Sequence, residues 1–235
     1  MTLSEVVEEL KSLGKVSIKK VLMNHGAREP FFGVKVEDLK KIQKRIKMDH
    51  ALALELYDTG ISDAMYLAGL IADDAKMTKK DLQRWVAQAY WYMIGEYTVP
   101  WVAAGSKYGW ELALEWIDSK KENVAAAGWA TLSSLVSIKD DAELDLAALK
   151  QLLPRVQKII HEQPNRVRHV MNGFVIAAGS YVPALTDQAL ATAEKVGQVS
   201  VDMGGTACKV PSAPEYIQKA QDRGAIGKKR KSAKC

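Results

Sequence analysis

Cysteine is nearly missing from this chain. Cys208 and Cys235 are its only two in 235 residues, too few for a disulfide framework or a structural zinc site. A reducing cytoplasm is the simplest expectation. No apolar run approaches the roughly 18 residues a bilayer span needs, so no membrane partner is expected. The opening Met1-Thr2-Leu3-Ser4-Glu5 lacks the basic and apolar regions of a signal peptide. Clean period-2 alternation of apolar residues is almost absent, which argues against β-sheet. There is no glycine-rich loop followed by Lys-Ser/Thr, and Gly204-Gly205 alone reads as a turn. His25, His50, His161 and His169 show no i, i+4 metal pairing. No serine occupies a nucleophile elbow. No cofactor and no metal are therefore expected.

What remains is helix. Val167, Val170, Met171, Phe174, Ala178 and Tyr181 form one apolar stripe, and Val124, Gly128, Leu132 and Leu135 form another. Thr2 with Glu5 reads as a capping box ahead of a helix that Gly14 ends, Thr78 opens another, and Pro100 suits a first turn. The pattern predicts helices over 3–13, 17–24, 36–46, 50–57, 62–72, 79–92, 100–107, 110–118, 123–137, 145–161, 165–181, 184–196 and 213–222. Short polar turns between so many helices imply antiparallel hairpins.

The hairpins repeat. Leu52-Ala53-Leu54-Glu55-Leu56-Tyr57-Asp58 matches Leu112-Ala113-Leu114-Glu115-Trp116-Ile117-Asp118. Each is followed by a helix with a small residue, Gly, then a bulky one: Ala68-Gly69-Leu70 and Ala127-Gly128-Trp129, with Asn172-Gly173-Phe174 as a third instance. Glycine inside a helix costs about 1 kcal/mol relative to alanine. Its recurrence suggests that each glycine admits a neighbouring helix at close range. The expected fold is an all-α superhelix, an ARM/HEAT-like solenoid of antiparallel helix pairs. It would form a single domain over 1–222, with 223–235 as a flexible basic tail.

Charge is uneven. The net +5 resides after residue 200, where eight Lys/Arg face Asp202, Glu215 and Asp222. Lys228-Lys229-Arg230-Lys231 attracts phosphate without sequence preference, although a solvated end would look the same. Tyr90, Trp91, Tyr92, Tyr97 and Trp101 flank Gly95-Glu96 and cannot all face one core. Aromatic faces in a groove can stack on nucleobases or hold a cation. Trp116 and Trp129 lie on apolar stripes and read as core.

Met23-Asn24-His25 followed by Pro30-Phe31-Phe32-Gly33-Val34-Lys35 is similar to the early segment of the AlkD-type DNA alkylation repair proteins, of the HEAT-like repeat DNA glycosylase superfamily. With the hairpins and the Trp91 region, the resemblance covers roughly residues 15–190. It implies a HEAT-like solenoid with a basic concave face for double-stranded DNA. It also implies hydrolysis of the N-glycosidic bond of cationic N3- or N7-alkylated purines, without flipping the lesion into a pocket. In the family, aromatics contact the nucleotide while a carboxylate stabilises oxocarbenium charge and positions water.

Trp91 stands where the family's cleft tryptophan belongs, Phe174 where a second aromatic is expected, and Trp101 completes the proposed groove. The family's aspartate falls on Gly95. Glu96 is one residue on, a step of about 100° on an α-helix, so it serves as the acid only where the local backbone departs from α. The family's cleft arginine falls near Ala127. Asp73 and Asp74 are conceivable substitutes for the acid, with helix-end solvation as their plainer role. Phosphate contacts are expected from Lys35, Arg166, Arg168 and the tail lysines and arginine. Five cations on phosphate would give a log–log salt slope near −4.5, roughly 500-fold between 50 and 200 mM. Base excision is left open by Gly95 and Ala127. The alternative is a non-catalytic scaffold for a protein partner or structured nucleic acid.

Overall fold

The computed structural model describes residues 1–234 and is all-α. Thirteen α-helices follow one another among the described residues: α1 (Leu3–Leu13), α2 (Val16–Asn24), α3 (Val36–Ile46), α4 (His50–Asp58), α5 (Ser62–Ile71), α6 (Lys79–Gln88), α7 (Val99–Gly105), α8 (Gly109–Trp116), α9 (Glu122–Ile138), α10 (Leu146–Ile159), α11 (Asn165–Tyr181), α12 (Thr186–Val196) and α13 (Ala213–Asp222). None is long and apolar enough to cross a membrane. Helix ends follow their local chemistry. Thr2 accepts from the Glu5 N–H while Glu5 accepts from the Thr2 N–H, and Thr78 does the same with Asp81.

The helices stack as the repeat implies. α4 packs on α5 and α8 on α9, and α7, α9 and α11 lie side by side. The core forms two clusters, one around Leu10, Leu56, Trp85 and Trp101, the other around Trp129, Leu153 and Phe174. Tyr57 stacks on Trp85 with centroids 3.9 Å apart, and its hydroxyl donates to the Trp85 carbonyl at 2.7 Å. One predicted helix is broken. The 79–92 element stops at Gln88, and a π-helical segment, Met93–Thr98, runs into α7. The aromatics at 90–92 thus sit in the break rather than on a continuous helix.

The three helical glycines do not share one role. A Cβ on Gly69 would lie 2.5 Å from Thr98 Cγ2, and one on Gly128 only 2.6 Å from the Ile117 backbone nitrogen. Gly173 faces open space within 4 Å, so the expectation of close approach fails there. Gly128→Ala should therefore destabilise by about 1–3 kcal/mol, since backbone must move aside. Gly173→Ala should stabilise by about 0.5–1 kcal/mol through the backbone entropy of the unfolded chain. Urea unfolding midpoints of the two variants, moving in opposite directions, are the check.

As far as Lys234 the basic tail lies against the helices; Cys235 lies outside the described residues. The segment runs back across helix C-termini as a strap. The Gly227 N–H donates to the Ser180 carbonyl at the end of α11 (2.9 Å), and the Arg230 N–H to the Ser137 carbonyl near the end of α9 (2.7 Å). Lys229 Nζ reaches the Val136 carbonyl at 2.9 Å and Asp141 at 2.7 Å. Lys234 Nζ caps the Ala72 carbonyl after α5 at 2.8 Å and pairs with Asp74 at 2.7 Å. Helix C-termini leave carbonyls unpaired and carry negative dipole ends. Lys229 and Lys234 are suited to both, while the Lys228, Arg230 and Lys231 side chains stay exposed.

Candidate nucleic-acid interface

The motif that precedes α3 is a docking loop. Asp63, buried in the first turn of α5, accepts from the Phe32 N–H (2.6 Å) and the Val34 N–H (2.9 Å). The Ser62 N–H donates to the Pro30 carbonyl at 3.0 Å. Gly33 has φ +82°, and a Cβ there would lie 2.8 Å from the Lys19 nitrogen and 2.9 Å from the Lys15 carbonyl oxygen. The loop therefore needs glycine on both counts. Tyr90 and Trp91 clamp the same corner, Tyr90 donating to the Pro30 carbonyl at 3.0 Å and Trp91 Nε1 to Ser62 Oγ at 2.7 Å.

Beyond that corner opens a cavity of about 1010 Å³, bordered by Trp91, Tyr92, Glu96, Tyr97, Arg166 and His169. On a regular helix Glu96 would turn away from Trp91. The backbone between them is not one regular helix, since α6 ends at Gln88 and the π-helical turn Met93–Thr98 holds Glu96 but not Trp91. The carboxylate that sequence alone places one step out of phase borders the same cavity as Trp91. Single π-turns are commonly found at functional sites.

Glu96 is 8% exposed. Arg166 Nε donates to its Oε1 at 2.6 Å and Nη2 to its Oε2 at 2.5 Å, the two-pronged geometry that makes arginine–carboxylate pairs strong and directional. The guanidinium carbon lies 4.5 Å from the Tyr92 ring centroid. Burial pushes the Glu96 carboxyl above the usual glutamate range, while the Arg166 hydrogen bonds and charge hold it back. Burial likewise opposes the Arg166 charge, but its bonds to Glu96 prevail and raise its pKa. His169 is pushed down to about 4 by burial and by Arg166, and is therefore neutral at pH 7. Its Nδ1 is buried without a hydrogen-bond partner among the described residues.

Other expected residues are dispersed. Arg166, read as a phosphate contact, is spent on Glu96. Ala127, near which the resemblance places the family's cleft arginine, is wholly buried in α9. Phe174 is wholly buried against Trp129, centroids 5.3 Å apart. It is core rather than cleft because its position on the α11 stripe turns it inward. Trp101, 6% exposed, borders a second, shallower groove of about 260 Å³ with Tyr97, His169, Gly173 and Arg230. Arg168 is half-buried, with Nη2 3.3 Å from Asn165 Oδ1. Lys35 is exposed at the start of α3 and lines neither space. Lys228 and Lys231 are exposed on the strap, whereas Lys229 is occupied by Asp141. Asp73 and Asp74 border neither space; Asp74, raised to about 6 by burial, pairs with Lys234.

Sequence reading missed several wall residues: Arg28, Lys121, Asn123, and the segment that includes Asp202, Met203, Cys208 and Lys209. Asn123 Nδ2 donates to the Ala89 carbonyl at 3.0 Å, tying the helix break to α9. A Cβ at Gly95 would meet the Asn123 carbonyl oxygen at 3.7 Å, an ordinary contact. Position 95 thus points at α9 in this backbone, and its lack of a side chain is not a steric demand.

The protein family described as DNA alkylation repair enzyme matches residues 6–216. Among curated relatives, the uncharacterized protein Lin0241 of Listeria innocua is 33% identical over 229 residues, 95% of this chain and 99% of that one. The uncharacterized protein Lmo0209 of Listeria monocytogenes matches to the same extent. A solved structure superposes with a TM-score of 0.91 at 37% identity, covering 100% of both chains. It represents a new family of proteins related to the HEAT-like repeat DNA glycosylases with affinity for branched DNA structures. The fold is thus the HEAT-like helical repeat that the hairpins implied, and the chain belongs to the DNA alkylation repair enzyme family.

Proposed function

We propose that the protein binds DNA across the face shared by α7, α9 and α11, recognising its structure rather than excising bases. The observation that carries this reading is the closed Glu96–Arg166 pair. A carboxylate with both oxygens in an arginine fork offers little net negative charge to a developing oxocarbenium ion. Such preorganised charge normally supplies several kcal/mol of transition-state stabilisation. The solved relative's affinity for branched DNA agrees in direction, and Arg28, Lys121, Lys209 and Arg230 are exposed cations around the two spaces. Acting on DNA would place the protein in the cytoplasm or nucleoid, with double-stranded arms as the ligand's bulk.

A second reading has one observation in its favour, the presence of Glu96 and Trp91 on the wall of one cavity. If a phosphate drew Arg166 away, Glu96 would be left charged beside the sugar, and slow excision of alkylated purines would follow. Release of N7-methylguanine and N3-methyladenine from alkylated DNA, assayed over hours, separates the two. The expected result is release at the spontaneous rate for the natural protein and Glu96→Gln alike, with DNA retained in a gel-shift assay. Release that Glu96→Gln abolishes would establish excision instead.

A further inference from the structure

The large cavity is closed over on one side. α2 ends at Asn24, and a Cβ on Gly204 would lie 2.7 Å from the Asn24 carbonyl oxygen. The 202–209 segment, far along the chain, therefore touches the N-terminal end of the solenoid. Both sides of that contact, Met23 to Gly26 and Asp202 to Gly204, border the cavity. The segment is itself anchored, with Asn165 Oδ1 accepting from the Asp202 N–H at 2.7 Å and Asn165 Nδ2 donating to its carbonyl at 2.9 Å. The result is an aperture framed by α2, the helix break, α11 and this segment. Its volume is of the size that takes a small organic ligand rather than a macromolecule. The groove beside it, bordered by Tyr97, Trp101, Ser133, Gly173 and Arg230, is smaller and more open.

The lining of the aperture is aromatic and edge-on. Trp91 meets Tyr92 at 5.2 Å and 64°, Tyr92 meets Tyr97 at 6.3 Å and 61°, and Tyr97 meets Trp101 at 6.0 Å and 66°. One side of Tyr92 is taken by the Arg166 guanidinium, 4.5 Å from the ring centroid, so of these rings Tyr97 offers the most surface to a further flat group. Tyr97 is 38% exposed and borders both spaces, so the ladder of rings leads from the groove into the cavity. Exposed Arg28, Lys121 and Lys209 stand around the cavity.

The geometry points to a division of labour: paired DNA lies along the open groove, while one or more unpaired nucleotides from the same molecule enter the framed cavity. There they stack on Tyr97, with backbone phosphates against Arg28, Lys121 and Lys209. This rests on the DNA-binding reading and specifies the ligand of that site as a duplex with an unpaired segment. A double helix is too wide for a cavity bridged between Asn24 and Gly204, whereas a single strand is flat-sided and narrow. Base–aromatic stacking tolerates any sequence because every base has a π-face. Recognition would therefore depend on the presence of unpaired bases and not on which bases they are.

The test uses four labelled DNAs of equal phosphate count: a duplex, a fully paired three-way junction, a fork with one single-stranded arm, and a duplex with a short gap. The fork and gapped molecules each carry 2-aminopurine in the unpaired stretch. The expected result is that both bind about 10-fold or more tighter than the duplex and the paired junction, with 2-aminopurine quenched on binding. Tyr97→Ala, checked for an unchanged unfolding midpoint, should bring the fork-to-duplex affinity ratio down towards one. Equal affinity for paired junction and fork, with unquenched 2-aminopurine, would overturn the inference and leave a protein that reads branch shape through the backbone. Failure to bind any of the four would remove the DNA-binding reading itself.

Discussion

Arg166→Ala should destabilise the protein by about 3–5 kcal/mol, the range for removing one partner of a buried ion pair. Glu96 has only 4% of its side chain exposed, so the orphaned carboxylate has little water to turn to. The loss should also depend on pH in a defined direction. Burial already raises the Glu96 carboxyl, and taking away the guanidinium raises it further. A carboxyl whose folded pKa exceeds its unfolded value is compatible with folding when protonated. The variant's deficit should therefore shrink as pH falls towards the ordinary glutamate range and be fully expressed above the raised folded pKa. Glu96→Leu with Arg166→Met removes both charges together and should restore most of the stability. Denaturant unfolding at pH 7 and pH 5 measures all three. A cost for Arg166→Ala near ~0.5 kcal/mol, as for an ordinary surface substitution, would mean the pair is not buried in solution.

Binding to DNA should weaken about 150-fold between 50 and 200 mM salt, with a log–log slope near −3.6. This is shallower than the −4.5 that counting the basic residues suggests, because folding diverts part of the charge. Arg166 is committed to Glu96, Lys229 to Asp141 and Lys234 to Asp74. Arg28, Lys121, Lys209 and Arg230 remain exposed around the two spaces, and four phosphates neutralised give the shallower slope. Fluorescence anisotropy across a salt series supplies the number. A flat response would sink the assignment of this face to phosphate, while a slope steeper than −5 would require Lys228 and Lys231 to reach the DNA as well.

The helical architecture was legible because it is written locally. Apolar stripes of period 3.6, capping boxes at Thr2 and Thr78, and the Leu52/Leu112 repeat each depend on neighbours a few residues apart. The break after Gln88 was not legible, since residues 79–92 read as one helix by composition. What interrupts it comes from far away: Tyr90 and Trp91 hydrogen-bond to the loop at Pro30 and to Ser62. The site was half legible for the same reason. Trp91 and Glu96 came from the family resemblance, and both border the cavity. The partner of Glu96 lies 70 residues on, and Arg166 has no local feature separating it from a solvent-facing arginine. Phe174 shows the converse error, in which an aromatic matched by position turned out to fill the core against Trp129.

A stack whose units touch only their neighbours behaves as a one-dimensional chain, able to fray from either end without disturbing the other. The strap changes that connectivity. Lys234 reaches the Ala72 carbonyl across 162 residues of sequence, and in between the same segment holds the ends of α9 and α11. Peeling away a late unit must then release contacts on an early one, so partial opening costs more than the sum of its local interfaces. The linear array is thereby closed into a circuit. Its curvature, on which the spacing between the aromatic ladder and the groove depends, becomes a shared property of all the units.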